Sequence, residues 1–158
     1  MRDIWQKLIS GQLDSLLQSA QDTVPGDVSA ISRLRRKGTL AEVSIVLEAL
    51  EARRRSRSRL RESDTWLMDR EGSEQATRTT VAEHKARRLR SVIGEETVID
   101  LCCGIGSDTA ALAQSGPVIY VDHDPVRVEL TRFNLGQSSK KPSNSHPLVA
   151  DAKCLPLP

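Results

Sequence analysis

The chain has 158 residues, the length of one ordinary domain, with a formal net charge of +2 and 28% charged residues. No apolar run approaches the roughly 20 residues needed to cross a bilayer, and charged residues interrupt the N-terminus early. Three cysteines, two of them adjacent, form neither a disulfide framework nor a C-x-x-C zinc pattern. We therefore expect a cytoplasmic protein with no membrane segment and no metal.

Apolar residues at helical spacings predict three helices in the first fifty residues. The first is expected over residues 3–21 and ends at the break formed by residues 24–27. The second spans residues 28–37 after the cap Asp27, and the third begins at Thr39. These elements predict a helical N-terminal region over residues 1–72.

An arginine-rich run follows the third helix and contains one apolar side chain, so we expect that it cannot bury a face. Its arginines are Arg53, Arg54, Arg55, Arg57, Arg59 and Arg61. In one interpretation they form a solvated helix end whose cations suit the helix dipole. In the other they form a nucleic-acid patch, in which guanidinium groups bind backbone phosphates. The residues leave both interpretations open.

The segment that leads into the second half is expected to begin irregularly. Residues 63–72 are predicted to form a connection with Trp66, Leu67 and Met68 packed inward. Residues 73–90 are then predicted to form one helix or a broken pair of helices.

The second half is organised around the sequence V-I-D-L-C-C-G-I-G-S-D over residues 98–108. It predicts a short buried strand, a glycine turn and a helix that reaches about residue 115. Gly104 and Gly106 allow positive φ and let a ligand approach the backbone. Ser107 or Asp108 can cap the following helix. Asp100 adds a fixed acceptor beside the turn.

A second strand over residues 118–121 ends at Asp122, about 20 residues after the glycine turn. An acid at this place accepts from ribose hydroxyls in nucleotide-binding βαβ units. The dinucleotide fingerprint G-x-G-x-x-G would need a glycine at position 109, where Thr109 stands, so a nicotinamide-dependent enzyme is the weaker interpretation. A helix capped by Asp124 should run to about residue 135, followed by a polar loop over 137–145 and a third strand over 147–150.

The sequence D-L-C-C-G-I-G over residues 100–106 resembles the first motif of class I S-adenosylmethionine-dependent methyltransferases, commonly D/E-x-G-x-G-x-G. Cys102 replaces its first glycine. A cysteine there is similar to the variant of trimethylguanosine-synthase-like enzymes and of bacterial methyltransferases with a THUMP-like domain. Further matches lie at residues 74–77, 81–84 and 121–125. The resemblance covers residues 70–158 and implies a Rossmann-like α/β sheet.

The resemblance also implies which residues contact S-adenosylmethionine: Thr77, Asp100, Cys102, Gly104, Gly106, Asp122, His123, Asp151 and Ala152. Asp100 would orient the amino group, Asp122 would accept from the ribose hydroxyls, and Asp151 from the adenine amino group. His123 would lie along the adenine. As alternatives, Asp122 and Thr77 only cap the helices that follow them, and Asp151 is only a surface turn residue.

The function implied by the resemblance is methyl transfer to RNA, with residues 73–158 forming the N-terminal half of the cofactor domain. Alternatives are methylation of a small molecule or protein, and a non-catalytic module that binds nucleic acid. In the resembled families the catalytic motif follows a fourth strand, so no catalytic residue can be named in this chain. We expect a fragment or truncated product that is inactive alone and self-associates through its exposed sheet edge.

Overall fold

The computed structural model describes residues 2–24, 27–138 and 144–155. Their elements are α1 (Arg2–Ile9), α2 (Asp14–Ala20), α3 (Val28–Leu34), α4 (Leu40–Ser56), α5 (Arg70–Gln75), α6 (Thr79–Ile93), β1 (Val98–Leu101), α7 (Ser107–Leu112), β2 (Val118–Asp122), α8 (Pro125–Gln137) and β3 (Ser145–Val149). None of the described helices has the length and apolar character needed to span a membrane. The predicted break at 24–27 and loop at 137–145 lie partly outside the described residues.

The helices of the N-terminal region differ in detail from the prediction. The single helix expected over residues 3–21 is two helices, α1 and α2, because Gly11 turns the chain with a φ of 82°. The helix expected to reach residue 37 ends at Leu34. α4 begins as predicted, with a capping box in which the Thr39 hydroxyl accepts from the Glu42 amide and the Glu42 carboxylate accepts from the Thr39 amide.

The apolar core of the N-terminal region continues into the second half of the chain. Trp5, Leu8, Leu16 and Val46 pack together with Leu130 of α8, and Ile4, Val126 and Phe133 pack at the margin of the same core. The predicted inward packing of the connection is confirmed, because Trp66, Leu67 and Met68 are all buried. The predicted division between residues 72 and 73 falls inside α5.

The three strands form a parallel sheet in the order β1-β2-β3, which confirms the predicted α/β class. Because successive parallel strands are adjacent, right-handed crossovers place α7 and α8 on the same face of the sheet. Val118 packs against alanines of α6 and α7, and Tyr120 packs against Val128 and Leu135 of α8. The carboxyl ends of all three strands therefore lie side by side at one edge.

The opposite face of the sheet is open at β1 among the described residues. β1 was expected to be buried, but Ile99 and Leu101 are 42% and 46% exposed. Their side chains point away from α7 and α8, since residues alternate between the two faces of a strand. β1 is also an edge strand of the described sheet, with one row of backbone groups unpaired. The expectation of a buried first strand is therefore wrong for this face.

We expect Ile99→Lys to weaken self-association of the chain by about tenfold, because a charge on an open edge strand opposes pairing with a second copy. Sedimentation velocity over a range of concentrations measures the change. Val92→Lys is the matched control, since Val92 is 81% exposed on α6 and away from the sheet. Equal association of both variants and the unaltered chain would contradict the prediction.

Candidate cofactor site at the carboxyl edge of the sheet

The turn after β1 has a backbone that ordinary residues rarely adopt. Cys102, Gly104 and Gly106 all have positive φ, of 61°, 59° and 88°. At Gly106 a side chain is excluded, since a Cβ there would lie 2.8 Å from Cγ2 of Thr131 in α8. At Gly104 a Cβ would meet no atom closer than the Cys102 carbonyl oxygen, at 4.0 Å. The turn thus packs against α8 on one side and is open on the other.

Asp122 joins this turn to the end of β2. Its carboxylate is buried and accepts from the backbone amides of Gly104 and Asp124, each at 3.1 Å. It does not cap α8, because Asp124 does so by accepting from the Val126 amide at 2.9 Å. The predicted cap Asp124 is thereby confirmed, and the alternative that Asp122 is merely a helix cap is wrong. Its contact with a ribose stays a prediction.

Asp100 near the end of β1 is held by Thr109, the residue that stands where a dinucleotide fingerprint would need a glycine. Thr109, which is fully buried in α7, donates its hydroxyl to the Asp100 carboxylate. Burial raises the pKa of Asp100, and the charges of Asp108 and Asp122 act in the same direction, whereas the Thr109 bond opposes them. An ionised Asp100 is therefore costly in the folded chain, and a cation bound beside it would offset that cost.

We expect Asp100→Asn to weaken binding of an amino-bearing ligand by about tenfold or more without lowering the stability of the free chain at neutral pH. A raised folded-state pKa means that the acid favours folding below its ordinary pKa and loses this contribution as pH rises through the raised value. Asparagine avoids that loss. Urea unfolding of both proteins, in samples about one pH unit apart between pH 4 and pH 7, measures their difference in stability. A variant that is less stable throughout would contradict it.

Residues 67–77 are here called the wall segment, and its second half faces the turn across a pocket of about 160 Å³. The pocket is lined on one side by Gly72, Gln75, Ala76 and Thr77, and on the other by residues of the 102–108 turn and by Arg127. Thr77 donates its hydroxyl to Asp108 at 2.6 Å, and Lys85 donates to the other oxygen of Asp108 at 2.7 Å. The alternative that Thr77 caps α6 is wrong, because no side chain caps that helix.

The remaining predicted residues lie at the same edge but are more exposed. The His123 side chain is 83% exposed, and its Nδ1 lies 3.2 Å from the Asp122 carboxylate. Asp151 follows Ala150, whose amide donates to the Asp122 carbonyl oxygen at 3.1 Å. The Asp151 side chain accepts from the Lys153 amide at 2.9 Å, which forms a surface turn. Contacts of His123, Asp151 and Ala152 with adenine stay predictions.

Sequence reasoning missed three residues of α8 that shape the site. Arg127 forms a two-point ion pair with Asp69, Thr131 donates to the Gly104 carbonyl oxygen, and Asn134 donates to the Ile105 carbonyl oxygen. They are four and three residues apart, which places them on one helical face. A helix that packs on a sheet is expected to have apolar residues at this spacing. Polar residues there were the signal in the sequence that could have indicated their role.

Cys103 is a packing residue. It is buried beside Tyr120 and Val128, and burial raises the pKa of its thiol to about 12. The thiol therefore stays protonated and unreactive at neutral pH.

The arginine run is engaged within the chain, contrary to the expectation that it buries no face. Arg53 is buried and donates to the carbonyl oxygens of Trp66 and Thr65, at 2.7 and 3.2 Å. Leu60 is buried as well. The other contacts are Arg54 to the Gln21 and Thr23 carbonyls, Arg55 to Glu51, Arg57 to Asp64, Arg59 to the Ser73 carbonyl and Arg61 to Glu83. The Arg53 guanidinium is therefore bound to carbonyl oxygens inside the chain and does not face outward to bind a phosphate.

A parallel α/β sheet with a glycine turn after its first strand and a buried acid after its second is an arrangement typical of nucleotide-binding βαβ units. No family model matches the chain. Two proteins of Mycobacterium tuberculosis, from different strains and both described as uncharacterized S-adenosylmethionine-dependent methyltransferases, are each 41% identical to it over 71 residues. The alignment covers 44% of this chain and 19% of each relative, so it spans about a fifth of their length.

The structure is also similar to the crystal structure of a proposed methyltransferase from Porphyromonas gingivalis, with a TM-score of 0.67 and 18% identity. The match covers 85% of this chain and 34% of that chain, and it shows a shared fold. The comparisons support the resemblance to class I methyltransferases. The narrower likeness to the THUMP-like and trimethylguanosine-synthase-like groups stays a prediction.

Proposed function

We propose that this chain carries the S-adenosylmethionine-binding part of a methyltransferase. The observation that carries the proposal is the bond between the Gly104 amide and the Asp122 carboxylate, which fixes a positive-φ turn beside an acid at the ends of adjacent strands. The names of the relatives support methyl transfer as the reaction. The absence of the third fingerprint glycine, at Thr109, disfavours a dinucleotide.

The residues present fit this cofactor. Gly104 leaves its backbone open to the pocket, and Asp100, which precedes the turn but does not itself line the pocket, offers a carboxylate for an ammonium group. Typical small-molecule pockets measure roughly 300–1,000 Å³. The pocket beside the turn measures about 160 Å³ and is therefore sized for one end of the ligand.

In the proposed site, Asp100 holds the amino group and Asp122 the ribose hydroxyls, while Asp151, Ala152 and His123 border the adenine. Thr77, Cys102, Gly104 and Gly106 border the methionine part. When bound, the cofactor supplies a methyl group already activated by the positive sulfur. The chain then has to hold the cofactor in one orientation and keep water out of the pocket.

Calorimetric titration with S-adenosylhomocysteine tests the proposal, and NAD is the control ligand. We expect saturable binding of S-adenosylhomocysteine and none of NAD. Circular dichroism of the same sample establishes that the chain is folded. Folded protein that ignores S-adenosylhomocysteine, or prefers NAD, would overturn the proposal.

We further propose RNA as the substrate class and a cytoplasmic protein of which this chain is one part. Arg57 and Arg61 support RNA binding, since their side chains are 65% and 60% exposed. Their ion pairs with Asp64 and Glu83 are of the exposed kind that contribute about 0–1 kcal/mol, so phosphate can replace the carboxylates. Arg61 pairs with α6, which begins two residues after Thr77 of the pocket.

The salt dependence of RNA binding tests the substrate class. We expect Arg57→Gln with Arg61→Gln to lower the slope of log K against log salt by about 1 for each arginine removed. Arg132→Gln is the control, because Arg132 is similarly exposed and ion-paired but lies on α8. An unchanged slope, or no binding by the unaltered chain, would favour a small molecule or protein as substrate.

A further inference from the structure

The wall segment is fastened to the rest of the chain by side chains rather than by its own structure. At its start, the Asn134 amide group bonds both backbone groups of Leu67, at 2.8 and 2.9 Å. At its end, Thr77 bonds Asp108. Its only helix, α5, has six residues, too few to be stable in isolation. The position of the segment therefore depends on these contacts.

Between these two ends, Arg127 provides the contact nearest the pocket. Its two terminal nitrogens lie 2.6 and 2.9 Å from the two Asp69 oxygens, and both side chains are largely buried, at 15% and 21% exposed. Asp69 also caps α5 by accepting from the Gly72 amide at 2.8 Å. Arg127 itself lines the pocket. One pair thus ties the helix of the wall segment to α8.

The fit beneath this pair is close. A Cβ on Gly72 would lie 2.5 Å from Cγ2 of Ile105 and 2.6 Å from Nη1 of Arg127. Because residue 72 has no side chain, the wall segment can lie close to Ile105 of the glycine turn, beside the pocket. A small displacement of α5 would change the width of the pocket directly.

We propose that Arg127 is a positioning residue, which holds the wall segment over the glycine turn and so sets how long the cofactor stays bound. This inference rests on the proposed function, since it assumes that the pocket receives the cofactor. A two-point pair between largely buried groups fixes orientation as well as distance, which a single lysine contact would not. Losing it removes the anchor nearest the pocket, while the ends of the segment and its bonds from Arg59 to the Ser73 carbonyl oxygen and from the Arg70 amide to Glu48 remain.

The test compares Arg127→Met with Arg132→Met in the full chain. Methionine retains the apolar stem, and Arg132 lies on the same helix in an exposed pair with Glu129. We expect Arg127→Met to raise the dissociation rate constant of S-adenosylhomocysteine about tenfold, measured by stopped-flow fluorescence, and Arg132→Met to leave it unchanged. Without ligand, hydrogen exchange of amides 69–77 should accelerate in Arg127→Met, while β1 and β2 keep their protection.

Asp69→Asn provides the second variant, because asparagine can still cap α5 but lacks the charge and the second accepting oxygen of the two-point pair with Arg127. We expect it to raise the dissociation rate similarly, and the double variant to do no more than either single one. Unchanged dissociation in both single variants, with S-adenosylhomocysteine still binding, would overturn this inference alone. Failure of the unaltered chain to bind would overturn the proposed function with it. Loss of protection throughout the sheet in both variants would assign the pair to folding and overturn the positioning role.

Discussion

Asn134→Ala is expected to lower the free energy of unfolding by about 3 kcal/mol, because it leaves buried backbone groups without partners. Asn134 is fully buried on α8. Its side chain donates to the carbonyl oxygens of Leu67 and Ile105, each at 2.9 Å, and accepts from the Leu67 amide at 2.8 Å. One side chain therefore serves two segments that are far apart in the sequence.

Urea unfolding monitored by circular dichroism measures the loss. Gln137→Ala is the control on the same helix, since Gln137 is exposed, and its effect should stay within about 0.5 kcal/mol. If Asn134→Ala cost no more than the control, the bonds to Leu67 and Ile105 would not contribute to stability as the structure indicates.

Asp122→Ala should weaken binding of S-adenosylhomocysteine by about 100-fold or more, the second large effect that we expect. The variant removes the proposed ribose acceptor and also releases the Gly104 and Asp124 amides that the carboxylate holds. The first change removes a proposed contact with the ligand, and the second weakens binding because the glycine turn loses its fixed position. Calorimetry at a temperature well below unfolding measures the affinity.

Asp124→Asn is the matched control for Asp122→Ala. Asparagine caps helices as well as aspartate does, and Asp124 is not a predicted ligand contact. We expect it to bind as the unaltered chain does. A normal affinity in Asp122→Ala would remove this acid from the site and weaken the nucleotide-binding assignment.

The parts of the site that the sequence predicts are those made by neighbouring residues. The strand, the glycine turn and the cap Asp124 follow from local chemistry, because positive φ favours glycine and helix starts favour a side-chain acceptor. Cys102, which stands at the first glycine position of the resembled motif, also adopts positive φ, and this was not predicted. Local rules thus located the edge at which the predicted ligand contacts lie.

The parts that the sequence does not predict are contacts between distant segments. Asp69 pairs with Arg127 across 58 residues, and Leu67 bonds Asn134 across 67. Nothing in the spacing of either segment indicates its partner. The same holds for Arg53, which composition assigns to the surface and the fold buries against two carbonyl oxygens.

Ile99 and Gly11 show two further limits of pattern reasoning. An apolar strand residue is expected to be buried, but burial needs a covering element, and Ile99 stays 42% exposed among the described residues. Gly11 interrupts an apolar pattern that otherwise continues, and whether a glycine bends a helix depends on tertiary packing.

Two-dimensional amide NMR during titration with S-adenosylhomocysteine is the strongest test of the cofactor site, because it locates the ligand as well as detecting it. We expect the largest shifts at residues 102–107 and 122–124, smaller ones in the wall segment, and none in α1 to α3. Shifts confined to the helical region, or no shifts in a folded sample, would contradict a cofactor site at the carboxyl edge of the sheet.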